Sequence, residues 1–231
     1  MNINEEKESM VFITIKNDFV HIYIFDNIIF FNKDVKEISK YWTLVVIVCN
    51  FITIFALYKF CKKNNITYLK LIDYKKSKIK NIIIIGLLIT LIGIIGSYLS
   101  GFIFYKTIPY TPDIMIQPLP LIIVIIDLIL LPITSTFAEE GIYLGVGINK
   151  LKLLYPTIFF YLLQHCFFPM ILDIKYIVYR FVAFIPAIIF MCLYYKKKKE
   201  ITPIMFGHFV INFVTILQYL VIKIKRAFND I

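Results

Sequence analysis

Residues 119–140 read LPLIIVIIDLILLPITSTFAEE, an apolar run that leads into two adjacent glutamates and continues to about residue 148. A run of this length and hydropathy is typical of a helix that spans a membrane. A charged side chain near the middle of a bilayer costs about 3 kcal/mol on insertion scales. Glu139 and Glu140 are therefore difficult to explain as packing residues, and we interpret them as candidate functional groups.

The composition of the whole chain is that of a membrane protein. Of its 231 residues 60% are hydrophobic, and the mean hydropathy is +0.80, whereas soluble domains are about 45–50% apolar. We attribute the net charge of +10 to lysines that mark cytosolic loops. A nucleic-acid partner is not expected, because no soluble basic face is visible. The spacing of the four cysteines fits neither a disulfide framework nor a zinc knuckle.

Apolar runs long enough to cross a bilayer recur along the chain, at about 41–60, 82–105, 119–148, 153–171, 176–195 and 201–222. The sequence therefore predicts an all-α, polytopic membrane helix bundle of about six transmembrane helices within residues 41–231. Residues 1–40 are mixed in composition and begin with an acidic stretch that lacks the basic start of a cleavable signal peptide. We expect them to form a small extramembrane or interfacial segment.

The distribution of lysines predicts how the bundle is oriented. Residues 59–80 carry eight lysines against one acidic residue, and residues 196–199 are all lysine. Four predicted spans separate these two segments, so both fall on one side, which we assign to the cytosol. The basic tail at 223–226 then falls outside, against the usual bias. We expect a multi-pass protein of the cell membrane.

Three further polar side chains lie within predicted spans: His165 in one, and His208 and Asn212 in another. His208 and Asn212 are one helical turn apart and share a helix face. At 1.5 Å per residue, Glu139, the histidines and Asn212 all lie about 10–18 Å from the predicted cytosolic ends of their runs. The sequence therefore allows one site, open to the cytosolic half of the membrane.

These residue types suit the activation of water. A carboxylate shielded from solvent is a stronger base and can accept a proton from water, which an imidazole can hold in place. A second histidine and an amide can donate hydrogen bonds to the oxyanion of a tetrahedral intermediate. Glu139, His165 and His208 are also suitable ligands for a metal such as zinc. The sequence leaves a metal-polarised water and a directly activated water both open.

The order and spacing of these residues resemble the CPBP family of intramembrane proteases, which includes the CAAX prenyl endopeptidases and bacterial Abi proteins. That family carries Glu-Glu-x-x-x-Arg, Phe-x-x-x-His and His-x-x-x-Asn or Asp on successive membrane helices. Within about residues 120–215 this chain has Glu139-Glu140-Gly-Ile-Tyr-Leu144, Tyr161-Leu-Leu-Gln-His165 and His208-Phe-Val-Ile-Asn212. It departs from the family pattern at Leu144, where the family has arginine, and at Tyr161, where it has phenylalanine.

The resemblance implies an endopeptidase that hydrolyses membrane-associated peptides or proteins. It assigns water activation to Glu139 and His165, a supporting role to Glu140, and the oxyanion hole to His208 with Asn212. Bacterial members of the family are often linked to bacteriocin self-immunity or peptide maturation. The loss of the arginine leaves open an inactive relative that acts as a membrane immunity or scaffold protein. A proton-coupled carrier that uses the two glutamates is a third interpretation, disfavoured because no inverted repeat is visible.

Two other charged residues, Asp127 and Arg180, lie in predicted spans near the external side. Our preferred expectation is that they form a structural ion pair. The alternative is that Arg180 reaches Glu140 and replaces the missing arginine of the family pattern.

Overall fold

The computed structural model describes residues 42–107, 120–167 and 174–229. The predicted N-terminal segment, residues 1–40, lies outside these ranges. Within them every regular element is helical, and the prediction of an all-α bundle is confirmed.

The elements follow one another as helices joined by short connections. They are α1 (Trp42–Lys63), the short α2 (Tyr68–Leu71), α3 (Ile79–Tyr105), α4 (Leu121–Glu140), the π-helix π1 (Gly141–Lys150), α5 (Leu154–Phe167), α6 (Ile174–Lys198) and α7 (Thr202–Asn229). The π-helix continues α4 without a break, directly after the two glutamates.

Five helices of the described ranges are long and apolar enough to cross a membrane: α1, α3, α4 with π1, α6 and α7. The protein is therefore a multi-pass membrane protein. α5 corresponds to the predicted run 153–171 and has 14 residues, about 21 Å of helix. Each of the six predicted runs thus contains a helix in its described part, and five of these helices are long enough to span, close to the expected bundle of about six.

The packing of α3 illustrates how the bundle separates lipid from core. Large aliphatic side chains such as Leu91 and Leu99 are exposed on its outer surface, as expected for contact with lipid. Its glycines are buried, and a Cβ atom at Gly93 would lie only 2.8 Å from Cδ1 of Ile211 on α7. Small residues allow membrane helices to approach closely where hydrophobic burial gives no driving force between them.

The connections that follow α1, π1 and α6 meet at one end of the bundle, which we call the lysine-rich end. Asn149 donates from Nδ2 to the carbonyl oxygen of Leu71 at 2.8 Å, and Lys199 donates to Oδ1 of Asn149 at 3.2 Å. The hydroxyl of Tyr195 donates to the carbonyl oxygen of Ile72 at 2.8 Å. This agrees with the prediction that the lysine-rich segments share one side; their assignment to the cytosol stays a prediction.

The junction between α4 and π1 is enclosed by α1 and α2. A Cβ atom at Gly141 would lie 2.6 Å from Cδ1 of Leu57 and 3.0 Å from the Tyr68 ring, so any larger residue would displace these two side chains. The Tyr68 hydroxyl donates to the carbonyl oxygen of Phe137 at 2.7 Å. Burial, reinforced by the charge of Glu140, raises the pKa of Tyr68 well above its usual range, so the phenol remains a donor. These contacts fix the backbone on both sides of the glutamates.

Candidate active site

Four of the five predicted site residues converge in the interior of the bundle. Glu139 at the end of α4 faces His165 of α5 and His208 of α7. Its Oε2 atom lies 3.7 Å from Nε2 of His165 and 3.9 Å from Nε2 of His208. Glu139 and His208 are buried and His165 is partly buried. The predicted grouping of residues from three different helices is therefore present in the structure.

Glu140 forms the second carboxylate of the site and is fully buried. Its Oε1 atom lies 2.7 Å from Nδ1 of His208 and accepts a hydrogen bond from the Tyr161 hydroxyl at 3.2 Å. The same hydroxyl lies 3.3 Å from Nδ1 of His208. Glu140 therefore contacts Nδ1 of His208, whereas Glu139 faces Nε2 of the same imidazole ring.

The hydrogen bonds at Nδ1 determine the tautomers of the two histidines. Nδ1 of His165 lies 3.0 Å from the carbonyl oxygen of Tyr161, which can only accept, so Nδ1 carries the proton. Nδ1 of His208 lies 2.7 Å from Oε1 of Glu140 and carries the proton in the tautomer in which that oxygen accepts. In a neutral ring the other nitrogen is then an electron-pair donor, so in these tautomers both Nε2 atoms direct lone pairs towards the Glu139 carboxylate.

This arrangement could hold a metal ion. Glu139, His165 and His208 each offer one ligand atom, and these atoms all lie within 4.8 Å of one another. Ligand bonds of about 2.0–2.2 Å in a tetrahedral zinc site place neighbouring ligand atoms about 3.3 Å apart, so the group must contract on binding. Metal-bound histidines usually donate their other ring N–H to a carboxylate or a backbone carbonyl. His208 and His165 do so here, and the donor set fits a metal.

Tyr161 is the site residue whose role the sequence did not reveal. Its hydroxyl, which the phenylalanine of the family pattern lacks, donates the hydrogen bond to Glu140. Its ring stacks on Tyr143 with centroids 4.2 Å apart, and the Tyr143 hydroxyl donates to Oε1 of Gln164 at 2.5 Å. An additional hydroxyl at a motif position was the only signal available in the sequence.

Asn212 is the predicted site residue that the structure does not join to the others. It lies one turn beyond His208 on α7 and is partly buried. In the parts of the chain that the structure describes, no hydrogen bond links it to the glutamates or the histidines. An oxyanion-binding role for Asn212 therefore remains a prediction about the substrate complex.

Neither expectation for Arg180 is correct. Its Nε donates to the carbonyl oxygen of His165 at 2.8 Å, and its guanidinium stacks on the Phe184 ring at 4.8 Å. Asp127 is buried, and its side chain lies beside that of Thr43 on α1. The backbone carbonyl at the end of α5 attracts the guanidinium, because the last carbonyls of a helix have no partner within the helix.

Leu144 occupies the position of the family arginine and is completely buried in the apolar core. Oε1 of Glu140 contacts His208 and Tyr161, and no lysine or arginine in the described ranges bridges this carboxylate. The Glu140 carboxylate is thus oriented by an imidazole and a phenol where the family pattern has a cation.

Comparison of the chain with protein-family models, with curated proteins and with solved structures finds no match in any of the three. The resemblance to the CPBP family therefore depends on the motif residues and their spacing alone.

Proposed function

We propose that the protein is a metal-dependent intramembrane endopeptidase of the CPBP type, which hydrolyses membrane-associated peptides or proteins. The observation that carries this proposal is the group of Glu139, His165 and His208, with one ligand atom from each within 4.8 Å of the others. Ionisable residues inside a membrane bundle are costly and usually serve a function. A buried carboxylate that faces two imidazole lone pairs is best explained by a shared cation.

The cation that we propose is zinc, held by Glu139 and by the Nε2 atoms of His165 and His208. Two histidines and one glutamate form a common ligand set of catalytic zinc, which keeps one coordination position for water. When bound, zinc would polarise a peptide carbonyl and make its water easier to deprotonate.

The chain's own residues would orient these ligands and stabilise the reacting groups. Glu140 and the Tyr161 carbonyl oxygen hold the two Nδ1–H groups, which fixes the direction of each Nε2 atom. In the substrate complex the Asn212 amide would donate a hydrogen bond to the oxyanion that forms when water adds to the peptide carbonyl. As the water oxygen adds to the carbonyl carbon, a carboxylate of the Glu139–Glu140 pair would accept its proton. The carbon–nitrogen bond then breaks, and that proton passes to the leaving amine.

The membrane setting supports a substrate that is itself associated with the bilayer. The site lies among helices that are exposed to lipid on their outer surfaces, so a peptide held in the membrane can approach it laterally. We propose that the site serves the cytosolic half of the cell membrane, as the lysine distribution predicts. Bacteriocin self-immunity and peptide maturation are the processes that the family resemblance favours.

The test is a comparison of new peptide termini, by mass spectrometry, in membranes of cells that express wild type, Glu139→Gln or Glu200→Gln at equal levels. Glu200 lies at the lysine-rich end and bonds the Tyr194 hydroxyl, so its variant is a matched carboxylate control. We expect cleavage products with wild type and Glu200→Gln, and none with Glu139→Gln. Identical peptide sets from all three folded proteins would refute the protease assignment. Cleavage that persists after chelation would favour a water activated directly by Glu139 and His165.

The second candidate is a catalytically inactive relative that acts as a membrane immunity or scaffold protein. The observation that favours it is Leu144, whose buried aliphatic side chain removes the cation of the family pattern. This candidate predicts that biological activity survives Glu139→Gln, whereas an endopeptidase loses it.

A further inference from the structure

The contact between α1 and α4 is parallel and repeats every seven residues. Asn50 donates from Nδ2 to Oγ1 of Thr134 at 3.2 Å and to Oγ of Ser135 at 3.0 Å. Seven residues further along both helices, Leu57 packs against Gly141. A seven-residue repeat keeps the contacting side chains along one seam between two helices.

The level seven residues before Asn50 and Thr134 consists of Thr43 and Asp127, whose side chains lie beside each other. Both are buried, as are the three polar residues of the next level. We call these five residues the polar seam: Thr43, Asn50, Asp127, Thr134 and Ser135. Its two levels are about 10 Å apart, as a rise of 1.5 Å per residue requires.

The polar seam has more acceptor atoms than the described residues satisfy. Oδ1 of Asn50 has no hydrogen-bond partner there, and the Thr43 hydroxyl can serve only one of the two Asp127 carboxylate oxygens. A buried polar atom without a partner is costly. Such oxygen atoms on two successive levels of one helix contact indicate that the seam binds something that can donate hydrogen bonds.

The spacing of these oxygens favours water. One metal ion cannot reach both levels, because oxygen ligands lie about 2.0–2.6 Å from a hard cation. No lysine or arginine of the described ranges bridges Asp127, and Arg180 bonds the His165 carbonyl oxygen instead. A buried water makes about three hydrogen bonds to polar groups that are otherwise unsatisfied. A row of waters can therefore satisfy both levels.

The polar seam ends at the candidate active site. Ser135 precedes Glu139 by one helical turn and shares its face of α4. Towards the lysine-rich end the seam is closed by the contact of Leu57 with Gly141. The polar side chains thus extend from the opposite end of the bundle as far as the level of Glu139.

We propose that the polar seam conducts water from the lysine-poor end of the bundle to Glu139. The purpose of this route rests on the proposed function, since each hydrolysed peptide bond consumes one water molecule. Glu139, Glu140 and His208 are buried and only His165 is partly exposed, so a polar route would supply water to the buried side of the site. The hydration of the seam can be measured without reference to hydrolysis.

The experiment measures the reaction of introduced cysteines with Ag⁺ in the full chain reconstituted in lipid vesicles. Ser135→Cys replaces one atom within the polar seam, and Leu57→Cys is a buried control one level beyond its closed end. The protein is then alkylated in denaturant, and thiols that have already bound Ag⁺ are protected from this second reagent. Peptide mass spectrometry measures the alkylated fraction at each cysteine separately. The native Cys49, buried next to Asn50 in the chain, reports whether the fold is intact.

We expect Ser135→Cys to react about tenfold faster than Leu57→Cys or Cys49, because a hydrated site does not require polar groups to enter a dry core. Equally slow reaction at positions 135 and 57 would overturn the proposal. Asn50→Leu should lower kcat about tenfold with the zinc content unchanged; an unchanged kcat would equally contradict it. Loss of zinc binding or hydrolysis in the wild type would refute the proposed function alone, because the cysteine result is independent of both.

Discussion

Nδ1 of His208 lies 2.7 Å from Oε1 of Glu140, and this contact joins α7 to the end of α4 inside the bundle. It determines which nitrogen of His208 faces Glu139. Because neighbouring residues of a helix point about 100° apart, Glu139 and Glu140 cannot both face the same group. They instead contact opposite nitrogens of one imidazole, so the two adjacent glutamates have different tasks.

Tyr161→Phe removes the hydroxyl that donates to Glu140 and should weaken metal binding. We expect zinc affinity to fall about tenfold, as for the loss of other residues that orient metal ligands. The free energy of unfolding should fall by about 1 kcal/mol, the usual contribution of one buried hydrogen bond. Zinc titration and thermal unfolding measure the two effects. Tyr155→Phe, at an exposed position of the same helix, should change neither, and an unaltered zinc affinity in Tyr161→Phe would show that the hydroxyl does not act on the site.

Removal of metal should destabilise the wild type and leave Glu139→Gln almost unaffected. At a free zinc concentration of 100 times Kd, binding to the folded state alone adds about 2.7 kcal/mol to the free energy of unfolding. A chelator should therefore lower the Tm of the wild-type protein in detergent. An equal decrease of Tm in Glu139→Gln would mean that the chelator acts elsewhere.

Asn212→Ala should separate metal binding from catalysis. Asn212 has no hydrogen bond to the ligand group in the structure, so we expect zinc affinity to stay at the wild-type value. Loss of one oxyanion donor typically lowers kcat about 10²-fold or more. Thr215→Ala, on the same helix but exposed, is the control and should keep full activity. If Asn212→Ala lowered the zinc affinity as well as kcat, Asn212 would belong to the metal site.

Leu144→Arg restores the family residue at a position that is now part of the apolar core. We expect the free energy of unfolding to fall by about 3 kcal/mol or more, because the larger side chain overpacks the site and buries a charge. Leu144→Met, close in volume, should cost less than about 1.5 kcal/mol. Denaturation of the two variants in parallel measures the difference. A stable Leu144→Arg protein with raised activity would show that Tyr161 and His208 do not replace the missing cation.

The apolar runs and the grouping of site residues could be predicted because both depend on position along a helix axis. Run length gives the spans, and the distance from the run ends brought Glu139, His165 and His208 to similar depths. The direction of a side chain around its helix is different, because it depends on which helices are neighbours. That is why the partner of Arg180 and the contact of the Tyr161 hydroxyl could not be predicted from the sequence.

The π-helix after Glu140 is a further feature that the sequence did not indicate. Its ten residues, Gly141–Lys150, are apolar with three glycines, a composition equally compatible with the predicted α-helix. Close contacts with Leu57 at its start and with Thr157 further along occupy the space that side chains would take at Gly141 and Gly147. These contacts come from other helices. We therefore attribute the π-helix to tertiary packing, which cannot be read from a single sequence.

The position of His208 on α7 also has a consequence for biosynthesis. Ribosomes make the chain from its N-terminus, and α7 is the last described helix to enter the membrane. Until α7 docks, the nascent chain holds Glu139 and His165 without their third ligand. On the proposed function, a two-ligand intermediate would bind zinc weakly, so newly inserted chains would stay inert towards neighbouring proteins at the insertion machinery until synthesis has passed the last histidine.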